Sequence, residues 1–393
     1  MTAATKPTRI LLVLGSLDGG GAERVAVNLV RGCDPHRLDM RLALLRRSGV
    51  YLTSVDDDRV FAPGHRKRGA FDSALAPLNI ARMIRQAAPD VVMSFGMGVS
   101  LAVWLALAAA PGRRPYWICR EDSNTDAEIA NLTRNPAARA VLRAILGRMH
   151  RSADCLLAVA EELGAKLAHQ TPRARVRVIH NPIDLDAIEE SAPQPLAEAP
   201  TRPFIVAAGR LVRQKGFDVL LEAFARSREA RALDLVILGE GPLEGALRRQ
   251  AEGLGIADRV RFAGFQANPW AWFARARLFV LSSRWEGFGN VVAEAMACGV
   301  PVLVTDCDFG PREQVAHGVT GWVTPVEPEA MARAMDTSLG DADLAGRLAA
   351  AGRVRARDFA TPTIVDAYTR LLLNRPAVGS ETQEVTQVVA ATT

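Results

Sequence analysis

Short runs of Val, Ile and Leu recur along the chain, each followed by a stretch whose apolar positions have helical spacing. A first series occupies residues 9–14, 38–45, 91–95, 116–119, 155–159 and 176–179; a second occupies 204–208, 235–238, 260–262, 278–281 and 302–305. Continuous rather than alternating apolar runs mark strands covered on both faces. Alternation of such strands with helices predicts parallel sheets, and two series predict two doubly wound α/β domains. Sheets of this kind take ligands at the carboxyl ends of their strands, so the two are expected to face one shared cleft.

Between the series, residues 187–203 carry Pro193, Pro195, Pro200 and Pro203 among Ala, Glu and Gln. Such a segment neither pairs in a sheet centre nor runs as a helix. The expected organisation is a first domain over 1–190, a Pro-rich linker over 191–203 and a second domain over 204–360. A helix over 361–374, packing back on the first domain, and a disordered polar tail over 375–393 complete it.

Residues 91–110 form a twenty-residue stretch without a charge, long enough for a membrane span. Ser94, Gly96, Gly98 and Ser100 interrupt it, and Pro89 and Pro111 flank it. The reading is strand, glycine turn and buried helix.

Composition narrows the class. A chain of 393 residues, 49% hydrophobic, fills two cores of ordinary size, while 31 Gly and 22 Pro exclude collagenous and wholly disordered chains. The net charge of +5 is uneven: residues 1–190 hold 26 Lys+Arg against 20 Asp+Glu, and the remainder 22 against 23. Clusters such as Arg66–Lys67–Arg68 and Arg113–Arg114 suit an anionic membrane, a phosphorylated acceptor or a merely solvated face. No zinc-finger or RNA-recognition signature accompanies them, so no nucleic-acid partner is expected. Five cysteines with no C-x-x-C spacing predict a reducing compartment without structural zinc, and the amino terminus lacks a signal-peptide layout. The expected location is cytoplasmic, with peripheral contact at the inner face of the membrane.

The segment SSRWEGFGNVVAEAMACGVPVLVTD, 282–306, carries the most chemistry. Gly287, Phe288, Gly289, Asn290 and Val291 lead from a strand end into a helix, where exposed backbone N–H groups and the helix dipole favour an anion. Glu286 and Glu294 bracket that turn. If most of the span is helical, they stand about 10 Å apart, the reach from a ribose across a diphosphate to a sugar. Carboxylates accept hydrogen bonds from vicinal hydroxyls, so each can hold one end of such a molecule; helix capping and core pairing are the alternatives.

The order S-x-W-E-G-F-G, seven residues between two glutamates, then E-A-M-A-C-G-x-P-V, resembles the signature of retaining glycosyltransferases of family 4. The resemblance runs from GGGAER at 19–24 to the helix ending near 373. It implies the GT-B fold, two Rossmann-like domains facing across a cleft. It also implies a nucleotide-diphosphate sugar as donor and a glycan or lipid-linked acceptor, with cell-surface polysaccharide or glycolipid as the product class. GRLVRQKG, 209–216, resembles the family's G-R-L-x-x-x-K-G, which implies that Arg210 and Lys215 hold the donor diphosphate. Both cations would neutralise charge growing on the leaving group, and no metal is expected.

By the same resemblance, Glu286 orients the transferred sugar and Glu294 holds the ribose. Glu240 in LGEGP and Gly264–Phe265 lie near the base, and Gly20 and Gly21 approach the sugar and acceptor. Many members carry a histidine after the strand equivalent to 116–119; here ICREDSN places Arg120 and Glu121 there, on the acceptor side. His180 in HNPID resembles a hinge element. Asp56, Asp57 and Asp58 imitate a metal-binding D-x-D but belong to a solvated turn. An epimerase or phosphorylase on the same scaffold, or a sugar-nucleotide binding protein without turnover, are the competing functions.

Overall fold

The computed structural model describes residues 6–63, 70–109, 112–196 and 200–376. Its strands are β1 (Thr8–Leu14), β2 (Leu38–Leu44), β3 (Val60–Phe61), β4 (Val91–Phe95), β5 (Tyr116–Glu121), β6 (Cys155–Ala158), β7 (Val176–Val178), β8 (Phe204–Ala208), β9 (Asp234–Leu238), β10 (Val260–Phe262), β11 (Leu278–Leu281), β12 (Val302–Thr305) and β13 (Trp322–Thr324). They form a parallel sheet in the order β3-β2-β1-β4-β5-β6-β7 and another in the order β10-β9-β8-β11-β12-β13. In each, the order reverses beside the first strand, which is the topological switch point of a doubly wound domain.

The chain divides into two compact units, one comprising residues 1–182 with 361–393 and the other 183–360. The division therefore falls at Pro182 rather than at 190, and the helix Leu185–Ser191 belongs to the carboxy-terminal unit. The reason is local pairing. Ile183 N donates to Phe359 O at 2.8 Å, and Asn268 and Arg275 bond the carbonyls of Ser191, Ala192 and Pro193.

The amino-terminal unit is held by strands buried on both faces. Ile10, Leu12, Leu42, Met93, Ile118 and Leu157 join one core with Val25, Leu29, Tyr368 and Leu372. The last two come from the helix Thr361–Leu373, which packs on the helix Gly21–Gly32 so closely that a Cβ at Gly32 would lie 3.0 Å from Thr361 and Val365. Residues 91–109 are β4, a turn at Gly96 with φ +78°, and the helix Met97–Ala109. That helix is half-buried rather than buried, with Leu105 exposed. Among the described residues no helix is long and apolar enough to cross a membrane.

In the carboxy-terminal unit, Ile205, Leu235, Ile237, Val280 and Leu303 pack against Leu220, Phe224 and Met335. The five cysteines are unpaired, and burial pushes the thiols of Cys155 and Cys298 up to about 12. Asp56 and Asp57 lie on an exposed turn and pair with Arg59 and Arg47. Arg66, Lys67 and Arg68, and the tail beyond 376, lie outside the described residues.

Candidate active site

Five loops leave the carboxyl ends of β8 to β12, and backbone bonds knit them together. After β8, Gly209 N donates to Leu238 O and Leu211 N to Glu240 O, both at 2.9 Å. After β9, Gly239 N donates to Gly264 O at 2.7 Å. Gly239 adopts φ +125°, and a Cβ there would lie 2.1 Å from the Gly209 carbonyl oxygen, so only glycine lets these two turns touch. Glu240 Oε1 accepts from Phe265 N at 3.4 Å, and the Phe265 ring is exposed. Glu240, Gly264 and Phe265 thus form one lip.

The loop after β11 is latched to the loop after β8. Arg284 N donates to Gln214 O at 2.7 Å, and Gln214 Nε2 to Trp285 O at 3.0 Å. Arg284 clamps Asp218 with two bonds of 2.7 and 2.6 Å. Burial pushes the Asp218 carboxyl up, but the Arg284 hydrogen bonds and charge outweigh it and hold the group below the usual carboxylate range. On this frame, Lys215 Nζ donates to Glu286 Oε1 at 2.6 Å, and Ser283 Oγ donates to the same oxygen at 2.5 Å. Glu286 is 5% exposed, and its backbone N–H donates to Asp308 O at 3.1 Å in the loop after β12. Burial and the Glu286 charge push the nearby Cys307 thiol up to about 12, which leaves it an inert neighbour. Arg210 is on the same loop as Lys215, exposed, with no side-chain bond among the described residues.

The helix Asn290–Cys298 begins after Gly289 and ends at Gly299, which is left-handed. Only 290–294 of the interval between the two glutamates is therefore helical, so the rise of a full helix does not describe their spacing. Gly287 and Asn290 are buried and Val291 is half-buried. The Phe288 ring is 2% exposed and meets Phe359 edge-on at 5.2 Å, while Gln314 Nε2 donates to the Phe288 carbonyl. Glu294 is also buried, and its Oε2 accepts from Trp270 Nε1 at 3.0 Å.

In the amino-terminal unit, Gly20 and Gly21 sit where β1 gives way to the helix Gly21–Gly32. A Cβ at Gly20 would lie 2.1 Å from Glu23 Oε2, so the glycine makes room for a carboxylate folded over the helix start. Arg24 Nε donates to Tyr51 Oη at 2.9 Å, fixing the same corner. Arg120 and Glu121 were expected toward an acceptor, but both side chains turn inward. Arg120 is wholly buried, pairs with Asp122 and Asn181, donates to Tyr368 Oη at 3.1 Å and lies 4.7 Å over the Phe95 ring. Glu121 Oε1 lies 2.9 Å from His150 Nε2, and Oε2 accepts from Thr125 Oγ1 at 2.7 Å. A desolvated guanidinium with this many partners holds strands and helices together rather than waiting for substrate.

Sequence spacing missed the partners Ser283, Asp218, Trp270 and His150; the signal for Ser283 was its place in the segment 282–306, that for Asp218 its place two residues past GRLVRQKG, and Trp270 and His150 had none. Cys119, Glu121 and His150 bring one ligand-type atom each within 4.8 Å, all buried. A cavity of about 380 Å³ is lined by Arg9, Asp90, Arg113, Arg114 and Arg375, where β1, β4 and β5 begin. It lies at the opposite strand ends from those at which open α/β sheets take ligands.

Residues 19–187 match the family described as Glycosyltransferase Family 4, and residues 188–355 the family described as Glycosyl transferases group 1. The lipopolysaccharide core biosynthesis glycosyltransferase LpsE of Rhizobium meliloti is 27% identical over 359 residues, 91% of this chain and 97% of that protein. The GDP-mannose-dependent alpha-(1-6)-phosphatidylinositol monomannoside mannosyltransferase of Mycobacterium tuberculosis is 31% identical over 333 residues, 75% of this chain and 83% of that protein. Among solved structures, HepE of Anabaena in complex with UDP-glucose aligns with a TM-score of 0.75 at 20% identity, over 93% of this chain and 99% of that one.

Proposed function

The chain belongs to the family 4 glycosyltransferases of the GT-B fold, and from that premise we propose that it moves a sugar from a nucleoside-diphosphate sugar to a glycan or lipid-linked acceptor with retention of anomeric configuration. Lipopolysaccharide core or a related glycolipid is the product class, in keeping with the activity named for LpsE. The observation that carries this reading is the pairing of Lys215 with Glu286 at 2.6 Å, on loops that also present Arg210 and the start of a helix.

In this reading Arg210, Lys215 and the amides of 287–290 take the charge that grows on the departing diphosphate, which is where preorganised donors lower a barrier most. The acceptor attacks the face from which the diphosphate leaves, and a phosphate oxygen takes the acceptor's proton. Glu286 orients the sugar, and Glu294 holds the ribose. Glu240, Gly264 and Phe265 border the base. Side-chain cations supply the neutralising charge, so no metal ion is required. The pairing of Lys215 with Glu286 spares both groups, one half-buried and one buried, an unpaired charge.

A donor panel tests the proposal. UDP- and GDP-hexoses, with and without total bacterial lipid extract and with EDTA present, are expected to give lipid-dependent release of nucleoside diphosphate and an α-linked product from an α-donor. An inverted product, or a donor altered without any acceptor, overturns it. The basic excess of the first 190 residues further predicts flotation with anionic liposomes at low salt, lost at high salt; no flotation at low salt removes the membrane from the proposal.

A further inference from the structure

We propose that Trp270 is a positioning residue for the donor nucleoside: its indole N–H sets the Glu294 carboxylate in the plane that receives the ribose diol, and so sets the preference for ribose over deoxyribose. The inference rests on the reading of Glu294 as the ribose holder and deepens it.

Glu294 lies among Val292, Ala293, Ala295 and Met296, all buried, on the helix Asn290–Cys298. A carboxylate in such a setting needs hydrogen-bond donors. Its terminal torsion is broad and two-fold, so burial alone leaves the plane of the oxygens poorly defined. A vicinal diol bonding a carboxylate through two hydroxyls demands one defined plane, as bidentate pairs do. The indole has a single donor that aims in one direction, and at 3.0 Å it reaches Oε2 directly. A carboxylate accepts from several donors at once, so the indole and a diol are compatible.

The indole is itself held. Trp270 opens the short helix Trp270–Phe273, and its carbonyl accepts from Ala274 N at 2.9 Å and from Cys298 Sγ at 3.8 Å. Asn268 Oδ1 accepts from Ala271 N, and its Nδ2 donates to Ser191 O at 2.8 Å. Arg275 Nη1 donates to Ala271 O and Ala192 O, at 2.9 and 3.0 Å. The helix bearing the indole is strapped at both ends, which is what a group that orients another requires.

The test uses the whole protein with UDP, GDP and their 2′-deoxy counterparts in calorimetric titration, and with the active donor in kinetics. W270F keeps the ring and removes the donor. It is expected to weaken ribonucleoside diphosphate binding about 10- to 100-fold, as loss of one hydrogen bond to a charged group does, and to leave 2′-deoxy binding within about twofold. The donor KM is expected to rise with kcat nearly unchanged. W270H, which retains a ring N–H, is expected to restore most of the preference. In an E294A background W270F is expected to add nothing. Equal weakening of ribo and deoxy forms by W270F, or no change with either, overturns the inference. Wild-type protein that binds both forms alike, or E294A that keeps full preference, overturns the reading of Glu294 and the inference with it. Loss of preference in E294A but not in W270F overturns the inference alone.

Discussion

Replacing Glu286 with Gln is expected to cut sugar transfer by on the order of 10³-fold with the fold retained, the scale at which loss of one preorganised polar group in a site lowers catalysis. The substitution keeps the side-chain volume and a carbonyl oxygen for Ser283 and Lys215, so the latch between the loops after β8 and β11 survives. What it removes is the charge. Glu286 is buried and offers one oxygen to Lys215 and Ser283, so its geometry is fixed before any substrate arrives. If it orients the sugar as that sugar gains oxocarbenium character, the loss falls on kcat rather than on donor KM. Glu286→Ala tests less cleanly, because it strands the partly buried Lys215 ammonium and adds a stability loss. The checks are initial rates of nucleoside diphosphate release and a thermal melt. A Glu286→Gln protein that melts normally and transfers within about fivefold of wild type contradicts the proposed role.

Lys215 and Glu286 touch, so their substitutions are expected to be non-additive. The family resemblance implied that the two serve one site, each in a loop at the carboxyl end of a strand. It did not foretell the contact, which joins residues 71 positions apart through the pairing of β8 with β11. The contact of Trp270 with Glu294 was hidden for the same reason: it depends on how a four-residue helix is strapped down, and no local pattern encodes that. Strands buried on both faces were legible because solvent exclusion leaves continuous apolar runs. β3 and β13 escaped notice because edge strands of two and three residues, half-buried, leave almost no run to read. The motif names Phe288 without saying which way its side chain points, and the structure turns its ring into the core.

Arg120 shows where a charged residue misleads most, since a cation after a strand in the first domain invites a substrate and this one turns into the core. Its guanidinium is wholly buried against Asp122, Asn181, Tyr368 and the Phe95 ring, tying β5 to the helix Thr361–Leu373 from the far end of the chain. Arg120→Leu is expected to destabilise the amino-terminal unit by about 3–5 kcal/mol, because it leaves the Asp122 carboxylate without its cation while removing donors to Tyr368 and Asn181. Arg120→Lys keeps the charge but not the planar fork, and is expected to recover only part of that loss. Urea unfolding gives the size of the effect, and amide exchange gives its place: protection is expected to fall in β4, β5 and the helix Thr361–Leu373 while β8 to β12 keep theirs. At temperatures where Arg120→Lys stays folded, KM for acceptor is expected to match wild type, since the side chain faces the core. A stable Arg120→Leu protein with impaired acceptor use would return the residue to the acceptor side, where its sequence context first placed it.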